Sequence, residues 1–150
     1  LTGARMVHIP YKGGAPAMLD LVSGNVQVVF STVSTAIAAI QAKRIRPLAM
    51  TGNQRFELMP DLPTMAQAGL KDFEVNNWYG LFVPAGTPKD VVTRLNAEMV
   101  KALAAADVRK RLLEAGIVAT SSSPEAFAAY VSAEAAKWAK VIKDAKITVE

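Results

Sequence analysis

Six consecutive residues, Tyr11-Lys12-Gly13-Gly14-Ala15-Pro16, carry the clearest chemical signal in this sequence. Two glycines let the backbone approach a bound group closely, and Pro16 suits the first turn of a helix, where its missing N–H has no intrahelical partner. A helix beginning there turns unpaired N–H groups and the positive end of its dipole toward an anion. Lys12 adds a full charge and Tyr11 a hydroxyl, while Gly14, Ala15 and Ala17 offer backbone donors. The same six residues also read as an ordinary strand-to-helix turn that needs glycine only for its geometry. A second cluster, Ser31-Thr32-Val33-Ser34-Thr35, opens the next helical pattern with several hydroxyls. Two helix starts at one edge of a sheet can share one ligand, although N-capping alone needs only one of Ser31, Thr32 and Ser34.

Proton-transfer and nucleophilic chemistry are harder to assemble. His8 is the single histidine and sits among strand-type residues, which favours a structural role. No G-x-S-x-G elbow, H-E-x-x-H pair or P-loop occurs. Asp20 and Asp61 are the acids nearest the expected strand ends, and their spacing gives no reason to pair them. With no cysteine there is no disulfide, no thiolate metal site and no thiol nucleophile, so neither a metal nor a cofactor is expected. Trp78 and Tyr79 fit either a cleft wall or a core.

Positioning these residues requires a particular order of elements. Residues 5–9 read as a strand stopped by Pro10, and a helix with Ala17, Met18, Leu21 and Val22 on its apolar face ends at Gly24. Residues 26–30 form a nearly unbroken apolar run, the pattern of a strand covered on both faces. A helix over residues 33–42 and a strand over 46–51 follow. Such strand–helix–strand units imply right-handed crossovers onto a parallel sheet, with ligand loops at the carboxyl ends of the strands. Residues 52–63 look irregular, Thr64 is expected to cap a short helix over 64–68 that Gly69 ends, and residues 78–83 read as a further strand. Beyond them, residues 88–105, 107–115 and 124–143 are helical by composition and period, with Thr87-Pro88 and Ser123-Pro124 each pairing an N-cap with a first-turn proline. The change of character near Asn76 marks an expected boundary between segments 1–76 and 77–150.

Composition narrows the function classes. The chain has 150 residues, 51% hydrophobic, and that fraction rests on 26 alanines rather than on long Leu, Ile or Phe runs. No window reaches the roughly 18 unbroken apolar residues of a membrane span. The formal charge of +4 divides evenly between the two halves, leaving no basic stripe of the kind that releases phosphate counterions, which argues against nucleic-acid binding. Leu1 is not an initiator Met, and no secretion-signal pattern follows it.

Several motifs occur together in one order: His8-Ile9-Pro10-Tyr11-Lys12-Gly13-Gly14, Arg46-Pro47-Leu48-Ala49, Leu62-Pro63-Thr64 with Ala68-Gly69-Leu70, and Trp78-Tyr79-Gly80-Leu81 through Pro84-Ala85-Gly86-Thr87-Pro88. In this the chain resembles the Bug-type solute receptors, the extracytoplasmic binding proteins of tripartite tricarboxylate transporters. The resemblance covers essentially all 150 residues. It implies an α/β, periplasmic-binding-protein-like fold of type II, a periplasmic setting, a small organic carboxylate as ligand, and membrane subunits of the transporter as partners. It also implies that the amino-terminal half of the family fold is missing, so that residues 1–76 belong to the second lobe and 77–150 return to the first. On that footing the Tyr11 to Ala15 loop contributes polar contacts to the carboxylate. Ser31 stands where many relatives have Asp, and Lys43 where they have Gly, which puts the substrate and that helix end in question. A homodimer or exchange of segments would cover the surface left open. A small α/β enzyme acting on a carboxylate and a protein-interaction domain are the competing readings.

Overall fold

The computed structural model describes residues 3–147. Its helices among those residues are α1 (Gly14–Ser23), α2 (Val33–Gln41), α3 (Lys89–Ala104), α4 (Ala106–Glu114) and α5 (Pro124–Asp144). Each falls where apolar periodicity predicts a helix, and local chemistry explains most of the ends.

Gly13, at φ 110°, turns the chain into α1, which buries Ala17 and Met18. Gly24 takes the left-handed conformation at φ 80°, and the Asn25 N–H closes back onto the Asp20 carbonyl at 2.9 Å. Among the hydroxyls before α2, Thr32 is the cap: its Oγ1 accepts the Thr35 N–H at 3.3 Å. Lys43 follows α2 in the left-handed region at φ 54°, and bonds from Lys43 N–H to Ile40 and from Arg44 N–H to Ala39 close the helix, each at 2.9 Å. The helix end expected to change with lysine is therefore kept, and lysine itself adopts the conformation that glycine takes most easily. Ser123 caps α5 by accepting the Ala126 N–H at 3.1 Å, with Pro124 in the first turn. Thr87 departs from expectation. Its hydroxyl donates to the Pro84 carbonyl at 2.8 Å, tightening the preceding turn, so α3 starts from Pro88 without a side-chain cap.

The expected strands are the main correction. Residues 5–9, 26–30 and 78–83 have no regular secondary structure, with a bend at Gln27, and no described segment joins a ladder long enough to be a strand. A strand exists only through a neighbour about 4.8 Å away that pairs with it rung after rung, and among the described residues these segments form no such ladder. The run 26–30, expected to be covered on both faces, leaves Val28 and Phe30 exposed. Residues 46–51 reach a single parallel rung, Met50 with Thr64, made by Met50 N–H to Pro63 and Met65 N–H to Met50, both 2.8 Å.

That rung anchors the most tightly bonded stretch of the chain. Thr64, 3% exposed, accepts the Gln67 N–H through Oγ1 at 3.2 Å, and Gln67 Oε1 accepts the Thr64 N–H at 3.1 Å, a reciprocal capping box. Arg55 fastens it by donating to Gln67 Oε1 at 2.9 Å and to the Pro60 carbonyl at 2.8 Å. The short helix expected over 64–68 is a single hydrogen-bonded turn, because Gly69 at φ 106° ends it before a second turn forms.

The chain divides into two compact units, Leu1–Gly80 with Arg111–Val118, and Leu81–Lys110 with Ala119–Glu150. In the first, α1 packs on α2 and the Phe30 and Phe73 rings meet at 6.4 Å. In the second, α3 packs on α5 and Phe82 meets Phe127 at 5.5 Å. The hydrophobic core proper is small: Ala17, Met18 and Phe56. The chain exposes 11747 Å², whereas even two separate folded units of half its mass would expose about 8,900 Å² together. Large apolar side chains contribute to that surface, with Val7 86%, Phe30 64% and Phe82 65% exposed.

Candidate site at two adjoining helix starts

The first turns of α1 and α2 touch. A Cβ placed on Gly14 would lie 3.1 Å from Thr35 Cγ2 and 3.4 Å from Thr35 Oγ1, so glycine at position 14 lets the two helix beginnings approach this closely. A third segment closes on the same place. Gly116, at φ 79°, sits so near α2 that a Cβ there would lie 2.7 Å from the Ser34 nitrogen and 2.9 Å from the Val33 carbonyl carbon. Only glycine meets both demands, since it lacks the clashing atom and takes positive φ without strain.

Around this junction Lys12, Gly13, Gly14 and Ala15 are exposed on the α1 side, and Ser31 and Ser34 on the α2 side. Early helical N–H groups have no carbonyl a turn behind them, so the exposed start of α1 presents donors, with Lys12 exposed in the loop that leads into it; at α2 the Thr35 N–H is taken by Thr32, and Gly116 lies against the Ser34 nitrogen. The hydroxyls form a short chain: Thr32 Oγ1 lies 3.0 Å from Ser34 Oγ and 2.9 Å from Thr35 Oγ1. Thr32 is thereby committed to capping. Ser31 Oγ donates to the Thr32 carbonyl at 3.3 Å, a long bond on an exposed side chain that a better acceptor can replace.

Tyr11 is placed differently from its loop neighbours. Its hydroxyl donates to Asp20 Oδ2 at 2.7 Å, and Asn25 Nδ2 donates to Asp20 Oδ1 at 3.1 Å. Both bonds stabilise the ionised carboxylate, the Tyr11 bond foremost, and hold Asp20 below the usual carboxylate range. The same bond, reinforced by partial burial and the carboxylate charge, raises the Tyr11 phenol above its ordinary value.

The remaining sequence candidates stay apart from this junction or bring no reactive partner. His8 lies exposed in a segment without regular secondary structure rather than packed in a core. Tyr79 is exposed and accepts from Asn77 Nδ2 at 3.3 Å. Asp61 is exposed in the turn before Thr64. Among the described residues no three His, Cys, Asp or Glu side chains gather as a metal would require. Sequence reasoning left out Thr35 as a site residue and gave Gly116 no part in the site. Thr35 belonged to the hydroxyl run it quoted, whereas Gly116 reaches α2 from a distant part of the chain and leaves no local signal. The polar groups at the junction are the exposed backbone that opens α1 and the hydroxyls that open α2.

The chain is similar to known proteins along nearly its whole length. Residues 1–147 match the family described as tripartite tricarboxylate transporter family receptor. A relative from Pseudomonas sp. (strain P51), the UPF0065 protein in the tcbD-tcbE intergenic region, is 42% identical over 143 residues, 95% of this chain and 43% of that protein. The structure of R. palustris Rpa4515 with adipate superposes with a TM-score of 0.87 at 35% identity, over 98% of this chain and 49% of that one. The periplasmic binding protein BugD superposes at 0.76 and 33% identity, over 99% and 50%. The chain thus follows the backbone path of half a periplasmic binding protein and spans about half the length of these proteins.

Proposed function

The chain belongs to the tripartite tricarboxylate transporter receptor family, and on that premise we propose that its adjoining helix starts hold one end of a small organic carboxylate for delivery to the membrane subunits of such a transporter. Receptors of this family bind solutes and perform no chemistry on them. The observation that supports the reading is the close approach of Gly14 to Thr35, which sets the exposed start of α1 against the hydroxyls that open α2. The turn from Tyr11 to Ala15, with Ser31, Thr32 and Ser34, makes the polar half of the site. Residues 1–76 form the ligand-bearing second lobe and residues 77–150 return to the first, with closure of the two lobes completing the grip. The setting is the periplasm.

The adipate bound to the R. palustris relative supplies a ligand to test. Calorimetric titration of the chain with adipate is expected to give saturable binding that weakens with added salt and with Lys12→Ala. At 100 times the dissociation constant, adipate should add about 2.7 kcal/mol to unfolding stability. No heat and no stabilisation with adipate or with a panel of mono-, di- and tricarboxylates overturns the proposal. Turnover of any panel member would move the assignment to the enzyme class.

A further inference from the structure

We infer that Tyr11 is a positioning residue, which ties the Lys12-Gly13 turn to the body of α1 through Asp20. The inference rests on the carboxylate reading of the site and assigns a mechanism within it. Tyr11 and Asp20 stand nine residues apart, one on the loop that leads into α1 and the other in the second half of that helix, so their 2.7 Å bond spans the helix start from outside. Asp20 is itself held from both ends. Asn25 donates to its second oxygen at 3.1 Å, and the Asn25 N–H bonds the Asp20 carbonyl at 2.9 Å where the helix closes. A loop of Lys12, Gly13 and Gly14 has little stiffness of its own, since two of its three residues are glycines. Fixing Tyr11 therefore fixes where the exposed Lys12 ammonium and the first amides of α1 stand relative to Thr35. The bond also takes the single Tyr11 hydroxyl proton, so that group faces the bound anion as no donor. Asp20 is the only acid before Glu57, and the bonds that hold it keep a negative charge from turning toward the anion.

Adipate titrations of the wild-type chain, Tyr11→Phe, Asp20→Ala, the double variant and Asp20→Asn test this. Each of the first two single changes is expected to raise the dissociation constant about tenfold, and the double variant no further, because both remove the bond between Tyr11 and Asp20. Asp20→Asn keeps a carbonyl acceptor for the Tyr11 hydroxyl and is expected to bind within about threefold of wild type. Tyr11→Phe removes one oxygen atom, and its helical circular dichroism should match wild type. Amide resonances of Lys12 and Gly13 should broaden or shift in that variant before any ligand is added. A loss confined to Tyr11→Phe, or losses that multiply in the double variant, would mean that Tyr11 touches the anion itself and would overturn the inference. Unchanged affinity in both single variants would overturn it too. Failure of the wild-type chain to bind adipate would strike the carboxylate reading instead, and is told apart because no variant is needed to see it.

Discussion

Gly116 shows how much one missing side chain controls. Its φ of 79° and the 2.7 Å approach of a would-be Cβ to Ser34 nitrogen predict that Gly116→Ala strains the backbone and pushes on the first peptide of α2 at once. The expected loss is about 3 kcal/mol, read as a fall in the urea midpoint, together with weaker adipate binding. Asp20 makes a second, pH-dependent prediction. Its carboxyl is depressed in the folded chain, so its stabilising effect is present above the ordinary carboxylate range and is lost as pH falls through the lower folded value. Tyr11, raised in the folded chain, stabilises below the ordinary phenol range and ceases to do so as pH rises through its higher value. Urea midpoints measured from pH 7 to pH 2 should therefore fall less steeply in Asp20→Asn than in wild type; an identical acid limb would show that the pair contributes nothing. At this scale the sequence was legible where chemistry is local. The Gly13-Gly14 turn and the hydroxyls around Thr32 announce a helix start from neighbouring residues. The partners of Tyr11 are set by where a helical turn carries Asp20, and that of Gly116 by tertiary packing, which spacing does not encode.

Helices follow from periodicity and end signals, and the departures have physical causes. Thr87 looks like a cap by type, yet the turn at residues 84–87 offers its hydroxyl a nearer acceptor in Pro84. The apolar runs read as strands because of their β-branched and aromatic residues, but pairing is a property of two segments and no single run contains it. Two element-scale variants follow. Lys43→Gly removes the cost of a side chain at φ 54° and is expected to raise stability by about 1 kcal/mol in thermal or urea unfolding. Ser123→Ala deprives the Ala126 N–H of its acceptor at the start of α5 and should cost about 1 kcal/mol by the same measurement. The surface ion pairs of α5, Lys137 with Glu134 and Lys140 with Asp144, should matter far less, since exposed pairs contribute only tenths of a kcal/mol in general.

Taken whole, the molecule leaves more apolar surface in water than a chain of its size normally tolerates. Exposed apolar side chains such as Val7, Phe30 and Phe82 are available for further association. Light scattering coupled to size exclusion is therefore expected to show a mass that climbs above the 16.0 kDa monomer as concentration rises, with a hydrophobic dye binding the dilute protein. A constant monomer mass and no dye signal would contradict the exposure described. The seat of Gly116 against Ser34 has a further consequence for how the chain comes into being. A ribosome that has just made the start of α2 must add about 80 more residues before Gly116 exists, which at ~5–20 residues per second is on the order of 4–16 s. For that interval the nascent corner between α1 and α2 stands without its third wall, and a chaperone holding the emerging chain would meet it in that unfinished form.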